Sequence, residues 1–135
     1  QLDIQSQVDR LGIASDVRFC GFVSEEELNL LYCAADAFVM PSVYETISLP
    51  VMEAQAAGTA VICIDTPGLR EITGGHARMI ARLDERLLAA AMRDLAESPD
   101  ERRRLAALGL VHSRRFSWRR CAAETLELIL EAARA

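Results

Sequence analysis

Lysine is absent from this sequence, and all fifteen of its basic residues are arginine. Aromatic residues make up only 5% of the chain, and no apolar run approaches the roughly 18 residues that a membrane-spanning helix needs. The formal net charge is −5, which argues against a nucleic-acid backbone as a partner for the whole surface. Because lysine is absent, any bound anion must be held by arginine, backbone amides or hydroxyl groups.

The cysteines are few and do not form a recognisable motif. None of the four belongs to a C-x-x-C pair, so zinc and redox motifs are absent. They are widely spaced within apolar runs, which predicts buried free thiols in a reducing compartment: Cys20, Cys33, Cys63 and Cys121. The first ten residues lack a signal-peptide pattern, and the chain begins without Met, so we expect a longer parent protein.

Apolar runs alternate with helical patterns along the chain, which is typical of an α/β domain. Four runs read as strands: 17–23, 37–42, 59–64 and 77–80. Two of them, "AFVMPS" and "TAVICI", are unbroken and therefore suit strands covered on both faces. The pattern predicts one Rossmann-like, doubly wound parallel sheet of about four strands.

Helix starts are marked by capping residues. Ser24 with Glu27, and Ser98 with Glu101, have the spacing of a capping box. Asp84 and Ser117 are the predicted N-caps of two later helices. The last helix is predicted to pack through one face, formed by Trp118, Cys121, Thr125, Leu126 and Ile129. We expect residues 65–75 to form a loop with at most one helical turn.

The segment "PSVYETISLPVMEAQAAG", residues 41–58, combines a strand end, a loop and a helix start. In a doubly wound sheet, ligands bind beyond the carboxyl ends of the strands, where free helix amides stabilise a phosphate. Glu53 falls about one turn into the helix, where its carboxylate can accept hydrogen bonds from a diol, and Glu45 lies on the loop before it. An ordinary capped helix with two acids near its positive end explains the same pattern, and periodicity does not decide between the two.

A family resemblance separates these readings. From about Val17 to its end, including the late "RRFSW" that opens the last helix, the chain resembles the family-4 (group 1) glycosyltransferases of GT-B fold, in their carboxyl-terminal donor-binding half. The E-x7-E motif of that family matches Glu45 and Glu53, and Pro50 matches the proline three residues before the second Glu. The segments "AAGTAVI" and "PGLREI" fit the strand and loop that follow.

The resemblance implies transfer of a hexosyl group from a nucleotide-sugar donor, with retention at the anomeric carbon. Glu53 would hold the donor ribose, and Glu45 would act catalytically near the reacting end. The amides that would meet the donor diphosphate belong to Thr46, Ile47, Ser48 and Leu49. The family is typically metal-independent, which agrees with the lack of an Asp-x-Asp motif, so we expect no metal or other cofactor.

The chain departs from the family pattern at residues 46–48. Gly-aromatic-Gly is usual there and lets backbone approach phosphate closely, whereas this sequence has Thr46, Ile47 and Ser48. The substitution leaves open a degenerate, non-catalytic nucleotide-binding or interaction domain of the same fold.

The resemblance also implies that two strands, a donor-binding Arg/Lys pair and an amino-terminal acceptor domain lie outside this chain. In the strand order 3-2-1-4-5-6, residues 17–23 would be the third strand and 37–42 the fourth, with the two absent strands between them. We therefore expect the isolated chain to be inactive and to dimerise or swap strands through its open edge. The acceptor, a glycan or lipid, would bind through the other domain.

Arginine clusters near the carboxyl end suggest two further interpretations. Residues 102–104, 114–115 and 119–120 could form solvated helix faces paired with neighbouring acids, or could contact anionic lipid. We expect a cytoplasmic protein, with peripheral contact at the inner membrane surface under the second interpretation.

Overall fold

The computed structural model describes residues 3–134 and contains a parallel sheet of three strands in the order β1-β2-β3. These strands are β1 (Phe38–Met40), β2 (Val61–Ile64) and β3 (Arg78–Ile80). In register, Phe38 lies opposite Val61, and Ile62 lies opposite Arg78. Helices connect and cover the strands, so the predicted α/β class with a parallel sheet is confirmed.

Within the described residues the helices are, in chain order, α1 (Ile4–Leu11), α2 (Glu25–Ala34), α3 (Leu49–Ala56), α4 (Pro67–Thr73), α5 (Glu85–Glu97), α6 (Pro99–Ser113) and α7 (Trp118–Ala132). None of them combines the length and the apolarity that crossing a membrane would demand.

The central strand β2 separates two apolar cores. All four of its residues are buried, as the unbroken run "VICI" predicts. Because side chains alternate across a strand, Val61 and Cys63 pack with α3 and α4, while Ile62 and Ile64 pack with Leu95 and Leu105 of α5 and α6. Both faces of the sheet are therefore covered, which is the doubly wound arrangement.

The strand predicted at 17–23 is wrong. This segment is irregular, and Phe19 and Phe22 are 53% and 102% exposed. A strand needs a neighbour to accept its ladder hydrogen bonds, and within the described residues no strand lies beside this one. The sheet consequently has three strands rather than about four.

Of the two predicted capping boxes, the structure contains one. Ser24 N donates to Glu27 Oε2 at 2.8 Å, and Glu27 N donates to Ser24 Oγ at 3.3 Å, which completes the predicted capping box. The second predicted box is wrong, because Ser98 makes no side-chain cap bond. Glu101 is instead held by Arg104 through two hydrogen bonds of 2.7 Å.

The remaining two N-cap predictions are confirmed. The Asp84 side chain accepts hydrogen bonds from Arg86 N and Leu87 N at the start of α5. Ser117 Oγ accepts from Arg120 N at the start of α7. Both caps satisfy amides that the first helical turn would leave unpaired.

Residues 65–75 form more regular structure than predicted. Thr66 caps α4 by accepting a hydrogen bond from Leu69 N, and Pro67 occupies the first turn without losing an intrahelical bond. Leu69 and Ile72 are 0% and 7% exposed. Burial of these two side chains stabilises a helix that its seven residues alone would not sustain.

The packed face predicted for α7 is wrong, because this helix has no buried residue. Trp118 is 77% exposed, and Leu126 and Ile129 are 56% and 59% exposed. The amphipathic pattern exists, but no element in the described part of the chain covers it.

The prediction of buried thiols holds for one cysteine. Cys63 on β2 is buried, and burial, with Asp65 nearby, raises its pKa to about 11. The thiols of Cys20, Cys33 and Cys121 are free and exposed, because they lie in the irregular segment and on uncovered helix faces.

Candidate functional site

Two helices begin at the carboxyl edge of the sheet. Loop 41–48 leaves β1 and enters α3, and residues 65–66 leave β2 and enter α4. Since neighbouring parallel strands end at the same edge, the two helix starts lie side by side. This is the edge at which ligands bind in open α/β sheets.

Ser48 is the N-cap of α3, but it does not cap in the usual way. Its side chain makes no cap bond, and its carbonyl accepts a hydrogen bond from Met52 N at 3.2 Å. Ser48 is 1% exposed, and among residues 3–134 its Oγ has no hydrogen-bond partner. A buried hydroxyl left unpaired costs about 1–3 kcal/mol, so this helix start holds an unused donor next to first-turn amides that no side chain caps.

Glu53 lies one turn further along α3 and is exposed to solvent. Its Oε2 accepts a hydrogen bond of 3.2 Å from the Tyr32 hydroxyl of α2. Burial raises the pKa of the Tyr32 phenol, and the Glu53 carboxylate raises it further by its charge and its hydrogen bond. The phenol therefore remains protonated at neutral pH and can donate.

Glu45 lies half-buried on the loop above α4. A Cβ added to Gly68, in the first turn of α4, would lie 3.0 Å from the Glu45 carbonyl oxygen and 4.0 Å from that of Thr46. Glycine at position 68 therefore allows loop 41–48 to rest against the start of α4.

The predicted site residues share one region but do not form a single bonded cluster. Thr46, Ile47 and Leu49 are exposed at the helix start, beside the buried Ser48. Glu45 lies on the preceding loop, whereas Glu53 lies within α3. The structure thus presents a helix start between two separate carboxylates.

Two residues of this region escaped sequence reasoning. Tyr32 has the spacing of a buried helix stripe, and its hydroxyl contact with Glu53 crosses between two helices. Gly68 belongs to a "PG" pair, which indicates a turn but not what approaches it. No local pattern signals either contact, since both depend on how α2, α3 and α4 pack.

Metal ligands do not converge in this region. Across residues 3–134, no group of three or more His, Cys, Asp or Glu side chains is placed to hold a metal ion.

Comparisons with known proteins agree on one family. The family model described as "Glycosyl transferases group 1" matches residues 2–98. The chain is 37% identical over 131 residues to D-inositol 3-phosphate glycosyltransferase of Streptomyces coelicolor, covering 96% of this chain and 29% of that protein. It is 33% identical over 110 residues to O-antigen chain mannosyltransferase B of Escherichia coli, covering 82% of this chain and 29% of that protein.

A solved structure gives the same result for the fold. Sucrose-phosphate synthase from Thermosynechococcus elongatus superposes with a TM-score of 0.88 at 28% identity, over 96% of this chain and 33% of that chain. The fold is thus that of one part of a GT-B glycosyltransferase, and the chain spans 29% of the length of the first two curated relatives. With the family model matching most of its residues, this chain belongs to the group 1 glycosyltransferases.

Proposed function

We propose that this chain is the donor-binding part of a glycosyltransferase that moves a hexosyl group from a nucleotide-diphosphate sugar to a glycan, lipid or small-molecule acceptor. The observation that carries the proposal is the start of α3, where a buried, unpaired Ser48 hydroxyl adjoins uncapped amides one turn before the exposed Glu53. The acceptor binds through a domain outside this chain.

The diphosphate of the donor binds at the start of α3. First-turn amides and the positive end of the helix dipole stabilise a phosphate, and the Ser48 hydroxyl adds a donor. The amides of residues 46–49 face the leaving group. Negative charge grows on that group during transfer, and preorganised donors stabilise it. We expect donor binding to require neither a metal ion nor another cofactor.

The two glutamates take separate roles. The Glu53 carboxylate accepts hydrogen bonds from the ribose hydroxyls, and Glu45 contacts the sugar near the reacting carbon. The reaction retains the anomeric configuration. Thr46 offers an exposed hydroxyl donor where family members have glycine, whereas the Ser48 hydroxyl is buried at the start of α3.

We place the protein in the cytoplasm, and the ion pairs of α6 favour solvated helix faces over lipid contact. Arg102 pairs with Asp36 at 2.9 Å, and Arg104 pairs with Glu101 at 2.7 Å. These pairs satisfy two of the clustered guanidinium groups within the protein.

For the isolated chain we propose an inactive dimer or strand-swapped assembly. The exposed Phe22 and Trp118 favour association, since both leave large apolar surface in water. Light scattering measures this, and a monomer at all concentrations would contradict it.

The test of the donor site is nucleotide binding by the parent protein. Calorimetric titration with UDP, GDP and ADP should identify at least one that binds, because ribose and diphosphate contacts are shared by all three. Turnover of the matching nucleotide-sugar, followed by NMR of the new anomeric proton, should show retention. Binding of none of the three would favour a degenerate interaction domain, to which the Thr46-Ile47-Ser48 departure points.

Gly68→Ala tests the support of the Glu45 loop. Alanine favours helix over glycine by up to about 1 kcal/mol, so α4 should not be weakened as a helix. Its Cβ would meet the Glu45 carbonyl at 3.0 Å, and the loop must move by a few tenths of an ångström. We expect transfer activity to fall roughly tenfold while the melting temperature changes little. Unchanged activity in Gly68→Ala would contradict the role of this contact.

A further inference from the structure

The contact between Tyr32 and Glu53 joins a buried residue to an exposed one. Tyr32 is 8% exposed, whereas Glu53 faces solvent. The hydroxyl of Tyr32 donates to Glu53 Oε2 at 3.2 Å. Among described residues Oε1 of the same carboxylate receives no hydrogen bond, so one oxygen is fixed by the protein and the other is available to a ligand.

We propose that Tyr32 is a positioning residue for the donor ribose, acting through Glu53. The proposal rests on the proposed function, since it gives Tyr32 a task only if Glu53 binds the ribose diol. An exposed glutamate samples several rotamers, and ordering it on binding costs affinity. A hydrogen bond from a rigid phenol selects one carboxylate orientation before the donor arrives.

The phenol is itself held from two sides. The Tyr32 and Phe38 rings pack edge to face, with centroids 5.4 Å apart and planes at 81°. Thr59 Oγ1 donates to the Tyr32 carbonyl at 2.6 Å within the core. Both the ring and its backbone are thus anchored to the sheet through β1 and the residues before β2. Through Tyr32, the sheet as well as helix α3 therefore determines where the Glu53 carboxylate lies.

A purely structural role would explain the position of the Tyr32 ring but not the direction in which its hydroxyl points. Packing against Phe38 needs an aromatic ring only, which phenylalanine would supply. The hydroxyl points to the one carboxylate of α3, and the raised pKa of the phenol keeps its proton in place for donation. The proposed role of Tyr32 therefore depends on its hydroxyl group alone, which the substitution Tyr32→Phe removes.

The test uses the parent protein and two ligands that differ only in the ribose. Tyr32→Phe should weaken binding of the preferred nucleoside diphosphate roughly three- to tenfold. Binding of the matching 2′,3′-dideoxynucleoside diphosphate should not change, because that ligand has no diol for Glu53. In a Glu53→Ala background, Tyr32→Phe should have no further effect on the ribonucleotide.

Thr59→Val is the matched control for loosened packing. It removes the buried hydrogen bond to the Tyr32 backbone and leaves the phenol hydroxyl in place. We expect it to lower the melting temperature and, since the phenol hydroxyl still has Glu53 as its acceptor, to weaken the ribo ligand less than Tyr32→Phe does. Circular dichroism of each variant would verify that the domain is folded.

The outcomes separate this inference from the proposed function. If Tyr32→Phe weakens the ribo and dideoxy ligands equally, or still weakens binding without Glu53, Tyr32 has no positioning role. If Glu53→Ala reduces affinity but Tyr32→Phe does not, the ribose site stands and only the inference on Tyr32 is overturned. If Glu53→Ala leaves affinity unchanged, the proposed ribose contact itself fails.

Discussion

Glu53→Ala in the parent protein is expected to lower its affinity for the preferred nucleoside diphosphate by at least about 100-fold. A hydrogen bond to a charged group contributes about 1.5–3 kcal/mol, and a ribose diol offers two. The variant also deprives the Tyr32 hydroxyl of its acceptor, 3.2 Å away, but Tyr32 stays packed against Phe38. Calorimetric titration of the two proteins measures the difference.

Two further variants sharpen this result. Glu53→Gln keeps an acceptor oxygen without the charge, so its affinity should lie between those of the parent protein and Glu53→Ala. Glu26→Ala removes an exposed glutamate from the first turn of α2, and its nucleotide affinity should be unchanged. If Glu53→Ala were folded and bound as tightly as the parent protein, the ribose would have to be held elsewhere.

Leu69→Ala is expected to lower the free energy of unfolding by about 2–5 kcal/mol. Leu69 is 0% exposed and packs in the core cluster with Val51 and Cys63, so the truncation leaves a cavity between the sheet and two helices. Urea unfolding followed by circular dichroism measures the change. Because α4 supports the Glu45 loop, we expect donor binding to weaken as well.

Leu30→Ala is the control for the same chemical change on the surface. Leu30 lies on α2 and is 66% exposed, so its truncation should alter the free energy of unfolding by less than about 0.5 kcal/mol. Equal losses in the two variants would show that Leu69 does not lie in a packed core.

Local patterns carry much of the information on the fold. Strand β2 is predicted from "VICI", because a short run of consecutive apolar residues suits a strand covered on both faces. Ser24 and Asp84 mark helix starts, because their side chains accept bonds from amides two or three residues away. Such interactions span one turn, and the residues that make them can be read from the sequence directly.

Patterns fail where the outcome depends on a neighbour distant in the chain. Residues 17–23 have the composition of a strand, but a strand forms only beside another that completes its ladder. Helix α7 is amphipathic, but the residue pattern shows only which face could be buried and not whether another element covers that face. Ser98 and Glu101 have capping-box spacing, and competition from Arg104 decides the outcome.

The candidate site divides in the same way. The sequence by itself determined the E-x7-E spacing, which places Glu45 before α3 and Glu53 within it. Only the tertiary structure decided that Tyr32 fixes one oxygen of Glu53 and that Gly68 lies against the Glu45 carbonyl. The physical reason is range: spacing along one helix follows from its 3.6-residue period, whereas contacts between helices depend on how α2, α3 and α4 pack around the sheet.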